Sequence, residues 1–268
     1  MFYQKNMPTQ ENMNTVKEFN KHTRRLKALA YGLKYPKLAR KMIRNSVSFL
    51  FEEGSLKRAS IPKISAEELL KANTEIKLSN FNVREGNVSP LELMIISSLV
   101  ASRNPTNLLE IGTFDGNTTL QMALNCSPGA TIHTIDLGEN QITTELPIWE
   151  EDLKFVKDEK KIVRKFTSSP LREKIVQHIG DSNAYDFSKF TKKAKVDFCF
   201  IDGGHSYACV KRDTEKALAI LGENGILLWH DFNPNCPGVY RYLLEVSKTL
   251  PLRQIEGTVL VMCEKPPS

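Results

Sequence analysis

From residue 89 onward, short apolar runs alternate with apolar positions spaced three and four residues apart, which predicts strands alternating with helices. The first helix is predicted to begin at Ser89-Pro90, because serine caps free N–H groups and proline suits the first helical turn. The predicted strands are Asn107–Gly112, Ala130–Asp136, Ile175–Gly180, Val196–Asp202 and Gly225–Asp231. The later predicted helices are Asn117–Asn125, Tyr207–Leu221 and Gly238–Leu250.

Near-continuous apolar strands separated by helices indicate a parallel sheet covered on both faces. The final two runs, Leu252–Glu256 and Val259–Glu264, are joined by the short Gly257-Thr258 turn, which is too tight for a crossover. These two strands are therefore predicted to pair antiparallel. The expected fold is α/β: a Rossmann-like, doubly wound, mostly parallel sheet with a C-terminal antiparallel hairpin and a helical N-terminal extension.

The region before the first predicted strand differs in charge. Between Lys21 and Phe51 there are nine basic residues and no acid, and Pro36 interrupts two stretches of helical spacing. We predict a basic helical N-terminal extension at 1–88 and a main domain at 89–268. The basic surface suits an anionic partner such as membrane lipid, RNA or a phosphorylated substrate. A solvated helical cap on the main domain is the alternative that we favour.

Composition sets the class of protein. The 268 residues are 41% hydrophobic and 25% charged, with a net charge of +6, which is typical of a soluble globular protein. No apolar stretch is long enough to span a bilayer, and no apolar signal-peptide core follows Met1. The five cysteines lack the C-x-x-C spacing of a metal knuckle. We therefore expect a cytoplasmic protein without disulfides or a zinc ribbon.

Candidate ligand-binding residues fall where the predicted strands end, which is where doubly wound sheets bind ligands. The first group follows Glu110 and is the turn Gly112-Thr113-Phe114-Asp115-Gly116-Asn117. Asp136 lies 20 positions after Gly116 and could accept both hydroxyl hydrogens of a ribose. Asp181 and Ser182 end the third strand and suit an adenine amine. Asp202, at the end of the fourth strand, completes this predicted cofactor-binding set.

The turn distinguishes between two adenosine-containing cofactors. A dinucleotide site has the pattern G-x-G-x-x-G, with a helix N-terminus facing the pyrophosphate. This turn lacks the middle glycine and carries Asp115, whose carboxylate would repel phosphates but attract a sulfonium or an amino group. Glu110 adds to the negative charge. The sequence therefore favours S-adenosylmethionine.

In these features the chain resembles the class I S-adenosylmethionine-dependent methyltransferases. The E-I-G-x-x-x-G turn, the acid at Asp136, the Gly180-Asp181-Ser182 segment and the final hairpin carry the resemblance, which covers roughly residues 88–266. Within that class, D-G-G-H-S-Y at 202–207 and His230-Asp231 are similar to the macrolide-sugar O-methyltransferases and their cephalosporin-biosynthesis relatives. The resemblance implies that His205 is the catalytic base and that Asp202 and Asp231 bind Mg²⁺.

The chemistry of these residues agrees with a methyl transfer. A histidine has the unperturbed pKa for moving a proton near neutrality, and the pair Gly203-Gly204 lets the chain turn so that His205 faces the cleft. Aspartate oxygens are suitable Mg²⁺ ligands. However, the subgroup often has Glu-Asp where this chain has His230-Asp231, and imidazole is a poorer Mg²⁺ ligand than carboxylate. Asp202 and Asp231 could instead cap helices and orient His205.

The acceptor is predicted to be a small molecule with a hydroxyl group, and a sugar is one candidate. Nucleic-acid amino-methyltransferases carry a D/N-P-P-aromatic loop after the fourth strand, and this chain lacks it. A second reading is a methyltransferase for RNA or protein that uses the basic N-terminus, and a third is an adenosine-ligand binder without activity. The charged insert at 138–169 is either a lid over the substrate or a peripheral helix. Contact with an anionic membrane and homo-oligomerisation also remain open.

Overall fold

The structure is a computed structural model that describes residues 60–70, 73–138, 141–142, 146–158 and 162–265. The basic segment at 21–51 and its two predicted helices lie outside the described residues. Residues from 61 onward form one compact unit. No helix in this described part of the chain is long and apolar enough to cross a membrane.

One eight-stranded sheet forms the centre of this unit. Its strands are β1 (Lys63–Ile64), β2 (Asn107–Ile111), β3 (Thr131–Asp136), β4 (Ile175–Ile179), β5 (Val196–Ile201), β6 (Leu221–Trp229), β7 (Arg253–Ile255) and β8 (Val261–Glu264). The described α-helices are α1 (Ala66–Leu69), α2 (Pro90–Arg103), α3 (Asn117–Asn125), α4 (Leu153–Asp158), α5 (Tyr207–Ile220) and α6 (Pro237–Val246). Short 3-10 turns occupy Glu150–Asp152, Pro170–Lys174 and Phe187–Thr191.

The strand order is β1-β7-β8-β6-β5-β2-β3-β4. The strands β6, β5, β2, β3 and β4 pair parallel in that order, whereas β8 pairs antiparallel with both β6 and β7. The chain moves outward from β2 to β4 and then returns to the other side of β2 at β5. The order therefore reverses between β2 and β5, and a doubly wound sheet forms its ligand crevice at such a reversal. The predicted α/β fold with its antiparallel hairpin is confirmed.

Local sequence explains the central elements. Each residue of β2 is buried, as expected for an inner strand covered on both faces. Ser89 caps α2 and forms a reciprocal capping box with Glu92, which satisfies two N–H groups at the start of the helix. The apolar core packs between the sheet and its helices, with Leu99, Leu108, Phe198 and Leu228 completely buried.

One strand was not predicted. Lys63–Ile64 pairs parallel with β7, and Ser65 caps the short helix α1 that follows. The structure thus places residues 61–88 in the same unit as the sheet, although the sequence analysis grouped them with the N-terminal extension. A two-residue strand carries too little hydrophobic alternation to be recognised in sequence.

Candidate active site

A cavity of about 390 Å³ opens at the carboxyl ends of β2, β3, β5 and β6, within the range of small-molecule sites. All of the predicted site residues line it except Asp115 and Gly116. Those that line it are Glu110, Gly112, Thr113, Phe114, Asn117, Asp136, Asp181, Ser182, Asp202, His205 and Asp231. The predicted cofactor residues and the predicted chemical residues therefore share one cavity.

The two glycines of the turn after β2 have different roles. Gly112 has a φ of +96°, and a Cβ there would lie 2.0 Å from the carbonyl oxygen of Asp202, so a side chain would separate the ends of β2 and β5. Gly116 has a φ of +72°, and a Cβ there would lie 2.6 Å from the Phe166 ring. Gly116 therefore makes room for a core phenylalanine and does not line the cavity, although the sequence analysis placed it among the ligand-binding residues.

Asp115 does not line the cavity either. Its side chain is almost fully buried, and its Oδ2 lies 3.0 Å from Nη2 of Arg84. Its Oδ1 accepts a hydrogen bond from the backbone N–H of Asn117 at 3.0 Å. The expectation that Asp115 places a free negative charge beside the cofactor is therefore wrong, because an arginine from the segment before α2 neutralises it. The sequence could not reveal this pairing across 31 positions.

Glu110 is buried at the base of the cavity. Its Oε2 accepts hydrogen bonds from the hydroxyls of Thr119 and Thr134. Burial raises the pKa of Glu110 to about 8, even though both hydroxyls favour the charged form. At neutral pH this carboxyl is therefore mostly protonated unless a positively charged ligand binds beside it.

Asp136 lies at the end of β3, as predicted, and its side chain is 20% exposed. Its Oδ2 accepts a hydrogen bond from the backbone N–H of Phe114 at 3.1 Å and another from Nη2 of Arg164, also at 3.1 Å. Arg164 belongs to the insert that follows β3 and is itself buried. The carboxylate that would bind ribose is thus oriented by the turn after β2 and by the insert.

The segment after β4 is held in place by α5. Asp181 is buried, and its Oδ1 accepts a hydrogen bond from the backbone N–H of Asn183 at 3.0 Å. Nζ of Lys216 donates to the carbonyl oxygens of Ser182 and Tyr185, each at 2.5 Å. This turn therefore presents Asp181 and Ser182 to the cavity from a fixed backbone.

At the opposite end of the cavity, His205 lies between two carboxylates. Its Nδ1 is 2.6 Å from Oδ1 of Asp152, and its Nε2 is 2.6 Å from Oδ2 of Asp231. Burial alone would lower the pKa of His205, but the hydrogen bonds and negative charges of both aspartates outweigh it and raise the pKa to about 10. His205 is therefore an imidazolium at neutral pH in this arrangement.

His230 extends this network on the other side of Asp231. Its Nδ1 is 3.1 Å from Oδ1 of Asp202 and 3.2 Å from Oδ2 of Asp231. Its Nε2 is 3.4 Å from Oε2 of Glu92, which α2 contributes from behind the strand ends. Burial would lower the pKa of His230, but these carboxylates raise it well above the usual value. We call Asp152, His205, Asp231, His230, Asp202 and Glu92 the acid–imidazole network.

The predicted metal ligands were tested against this geometry. Asp202, His205 and Asp231 offer donor atoms that all lie within 4.8 Å of one another. However, both nitrogens of His205 face carboxylates, and Oδ2 of Asp231 lies within hydrogen-bonding distance of two imidazoles. A Mg²⁺ ion requires oxygen atoms that are free to coordinate it. His205 therefore has no free nitrogen for a metal ion, whereas Asp202 and Asp231 stay predicted Mg²⁺ ligands.

The described part of the insert forms one wall of the cavity. Trp149 lies edge-on to the His205 ring, with 5.8 Å between ring centroids, and Phe155 packs against Phe114 with 5.2 Å between centroids. Of the two roles left open by the sequence, lid or peripheral helix, this position agrees with the lid. Glu92 and Asp152 are members of the network that the sequence analysis missed, and Asp152 lies in a charged stretch. In the run Glu150-Glu151-Asp152 it has the pattern of a solvated charged turn.

Part of the sheet domain matches a known protein family. Residues 109–232, from β2 to just beyond β6, match a family model described as a methyltransferase domain. The matched region contains His205 and Asp231 as well as the turn after β2. The central part of the chain is therefore similar to a methyltransferase domain. No curated protein matches the sequence.

Several solved structures have a similar chain path. The O-methyltransferase TomG from Streptomyces achromogenes, involved in tomaymycin synthesis and solved with SAM, is 15% identical, with 68% of this chain and 83% of that chain covered and a TM-score of 0.46. An O-methyltransferase from Bacillus cereus, solved with SAH, is 18% identical, with 69% and 85% covered and a TM-score of 0.45. A putative caffeoyl-CoA O-methyltransferase from Staphylococcus aureus is 17% identical, with 66% and 85% covered and a TM-score of 0.47. Likeness at this level does not decide the cofactor or the acceptor.

Proposed function

We propose that the protein is an S-adenosylmethionine-dependent O-methyltransferase that acts on a small hydroxylated molecule, with a sugar as one candidate. The observation that carries the proposal is the continuity of the cavity. The strand-end residues suited to an adenosine line the same space as the acid–imidazole network suited to proton transfer, apart from Glu92. A methyl transfer needs both, because the nucleophile must be held close to the methyl group while its proton is removed.

The residues at the β2–β4 end of the cavity suit S-adenosylmethionine, which supplies a methyl group on a positively charged sulfur. Asp136 would accept hydrogen bonds from the ribose hydroxyls, and Asp181 would accept one from the adenine amine. The opposite end contains four carboxylates and two imidazoles, so it keeps a negative charge even when both imidazoles are protonated. That surplus favours a cationic ligand.

His205 is the proposed base. As it stands, Nε2 of His205 shares a proton with Asp231, so the ring must release that proton before it can accept another. Positive charge bound in the same cavity favours this release, because a nearby like charge lowers the pKa of an imidazolium. His205 would then accept the hydroxyl proton of the acceptor at Nε2, and Asp231 would stabilise the imidazolium that results. Trp149 and the rest of the insert would exclude water.

The subgroup, the metal and two other functions are separate hypotheses, and each depends on a different part of the molecule. Membership of the macrolide-sugar subgroup rests on the D-G-G-H-S-Y and His230-Asp231 segments. Action on RNA or protein would depend on the basic residues between 21 and 51, which lie outside the described residues. A binder without activity would not require the acid–imidazole network. Mg²⁺ would be tested by EDTA, and undiminished activity after EDTA treatment would remove the metal from the mechanism.

The decisive experiment combines ligand binding with product analysis. S-adenosylmethionine and S-adenosylhomocysteine are expected to raise the melting temperature, whereas NAD is not, because only a ligand that binds the folded state stabilises it. Labelled S-adenosylmethionine is then incubated with panels of hydroxyl and amine acceptors, and label is expected in an O-methyl product. Stabilisation by NAD alone would overturn the cofactor, and exclusive N-methylation would overturn the acceptor.

A further inference from the structure

Asp152 makes two contacts with one residue. Its Oδ2 accepts a hydrogen bond from the backbone N–H of His205 at 2.9 Å, and its Oδ1 lies 2.6 Å from Nδ1 of the same histidine. One carboxylate therefore fixes both the main chain and the ring of His205. The two residues are 53 positions apart, and Asp152 belongs to the insert rather than to a strand end.

The contact is enclosed. The Asp152 side chain is 11% exposed and that of His205 18%, so solvent competes little for this pair. Trp149 covers the ring from the same turn of the insert. A second tie lies nearby, where Sγ of Cys209 in α5 donates to the carbonyl oxygen of Pro147 at 3.8 Å. The insert is thus attached to His205 through Asp152 and to the first turn of α5 through Cys209.

We propose that Asp152 is a positioning residue that fixes the ring of His205, with Nε2 directed at Asp231 and the cavity. The catalytic histidine is then held in this orientation only while the insert is in place. This inference rests on the proposed function. The physical reason is the tautomer. A carboxylate that accepts the Nδ1–H leaves Nε2 as the nitrogen that exchanges a proton with a ligand.

The substitution Asp152→Asn separates the effect of the side chain's charge from the effect of its shape. A carboxylate accepts both N–H groups of His205, whereas an amide has one oxygen to accept and an NH₂ group that can only donate. Asp152→Asn therefore keeps the size of the side chain but favours the wrong tautomer. Asp152→Ala removes both contacts. Glu150→Gln is the matched control, because Glu150 is an exposed acid in the same turn and does not line the cavity.

The first readout is kinetic. We expect Asp152→Asn to lower kcat by roughly 10²-fold, within the range of general acid–base catalysis, while the Kd for S-adenosylhomocysteine changes less than about threefold, which is under 1 kcal/mol. Glu150→Gln should behave as the unaltered chain. An Asp152→Asn variant that keeps its kcat, or one that loses kcat only in proportion to ligand binding, would overturn the proposal.

The second readout does not need activity. The chain has two tryptophans, and Trp229 is fully buried, so acrylamide quenching reports Trp149, with Trp149→Phe assigning the signal. Asp152→Ala is expected to increase quenching, and ¹⁵N spectra of the histidines should show a loss of Nδ1 protonation at His205 in Asp152→Asn. Unchanged quenching together with an unchanged His205 signal would overturn the inference. If the unaltered chain transfers no methyl group, the proposed function fails, but these spectra still decide the role of Asp152.

Discussion

At the two ends of the cavity, the pKa values of buried acids are shifted in opposite directions. On the side of β2–β4, burial raises the pKa of Glu110 to about 8. Outside the cavity, in α5, burial likewise raises the pKa of Asp213 to about 7. On the side of β5 and β6, burial acts in the same direction, but His230 lowers the pKa of Glu92 to about 2, and His205 and His230 lower that of Asp231 well below its usual value.

The difference shows that burial alone does not decide the charge of these carboxyls. Glu110 has two threonine hydroxyls as partners, which do not offset the cost of removing a charge from water. Asp231 has two imidazoles, which do. Glu110 is therefore largely neutral before a ligand binds, whereas Glu92 and Asp231 stay charged. Binding and chemistry should accordingly respond to different substitutions.

The largest expected effect comes from removing the proposed base. His205→Ala should lower kcat by roughly 10²–10⁴-fold, the contribution of a positioned general base, and leave the Kd for S-adenosylhomocysteine near that of the unaltered chain. Steady-state kinetics and calorimetry measure the two quantities. His133→Gln is the control, because His133 lies on β3 and does not line the cavity. Equal losses of turnover and binding would mean that His205 is structural and that the two ends are not separable.

Removing the central imidazole should cost stability. His230→Leu leaves Glu92, Asp202 and Asp231 without the positive charge that faces all three, and breaking such a buried pair costs about 3–5 kcal/mol. Urea denaturation measures the free energy of unfolding. His230→Gln keeps a neutral N–H donor, so its free energy of unfolding should lie between those of His230→Leu and the unaltered chain. A His230→Leu variant as stable as the unaltered chain would show that these carboxylates do not depend on the histidine.

Asp213 provides a pH-dependent test of a buried acid that has no imidazole partner. Its carboxyl is completely buried, and its raised pKa means that the folded state holds its proton more tightly than the unfolded state. This residue's contribution to stability is therefore fully present below about pH 4 and is lost as pH rises through about 7. Asp213→Asn removes that dependence, so its stability relative to the unaltered chain should increase between these pH values, by as much as about 4 kcal/mol. Chemical denaturation at pH 4 and pH 8 gives the comparison, and parallel pH profiles would contradict a protonated Asp213.

The sequence was sufficient for the sheet apart from β1 and for the positions of the strand-end residues. Apolar runs and turn residues are local signals, so the boundaries of α3 and the paths of β2, β3 and β5 follow from short windows of sequence. The partners of the charged residues do not follow from such short windows. Arg84 neutralises Asp115 and Arg164 binds Asp136, and each pair forms only after distant segments pack together. Asp152 was missed for the same reason.

The smallest expected effect distinguishes the roles of two acids near the β2–β4 end of the cavity. Asp136 lines the cavity, so Asp136→Asn should raise the Kd for S-adenosylhomocysteine roughly ten- to hundredfold, because hydrogen bonds to a charged group contribute about 1.5–3 kcal/mol. Asp115 lies in the same turn region but pairs with Arg84 away from the cavity. Asp115→Asn should therefore leave that Kd nearly unchanged while lowering the melting temperature. Isothermal calorimetry on both variants measures the difference. Equal weakening by the two substitutions would mean that charge in the turn, rather than contact with the ligand, governs binding at this end of the cavity.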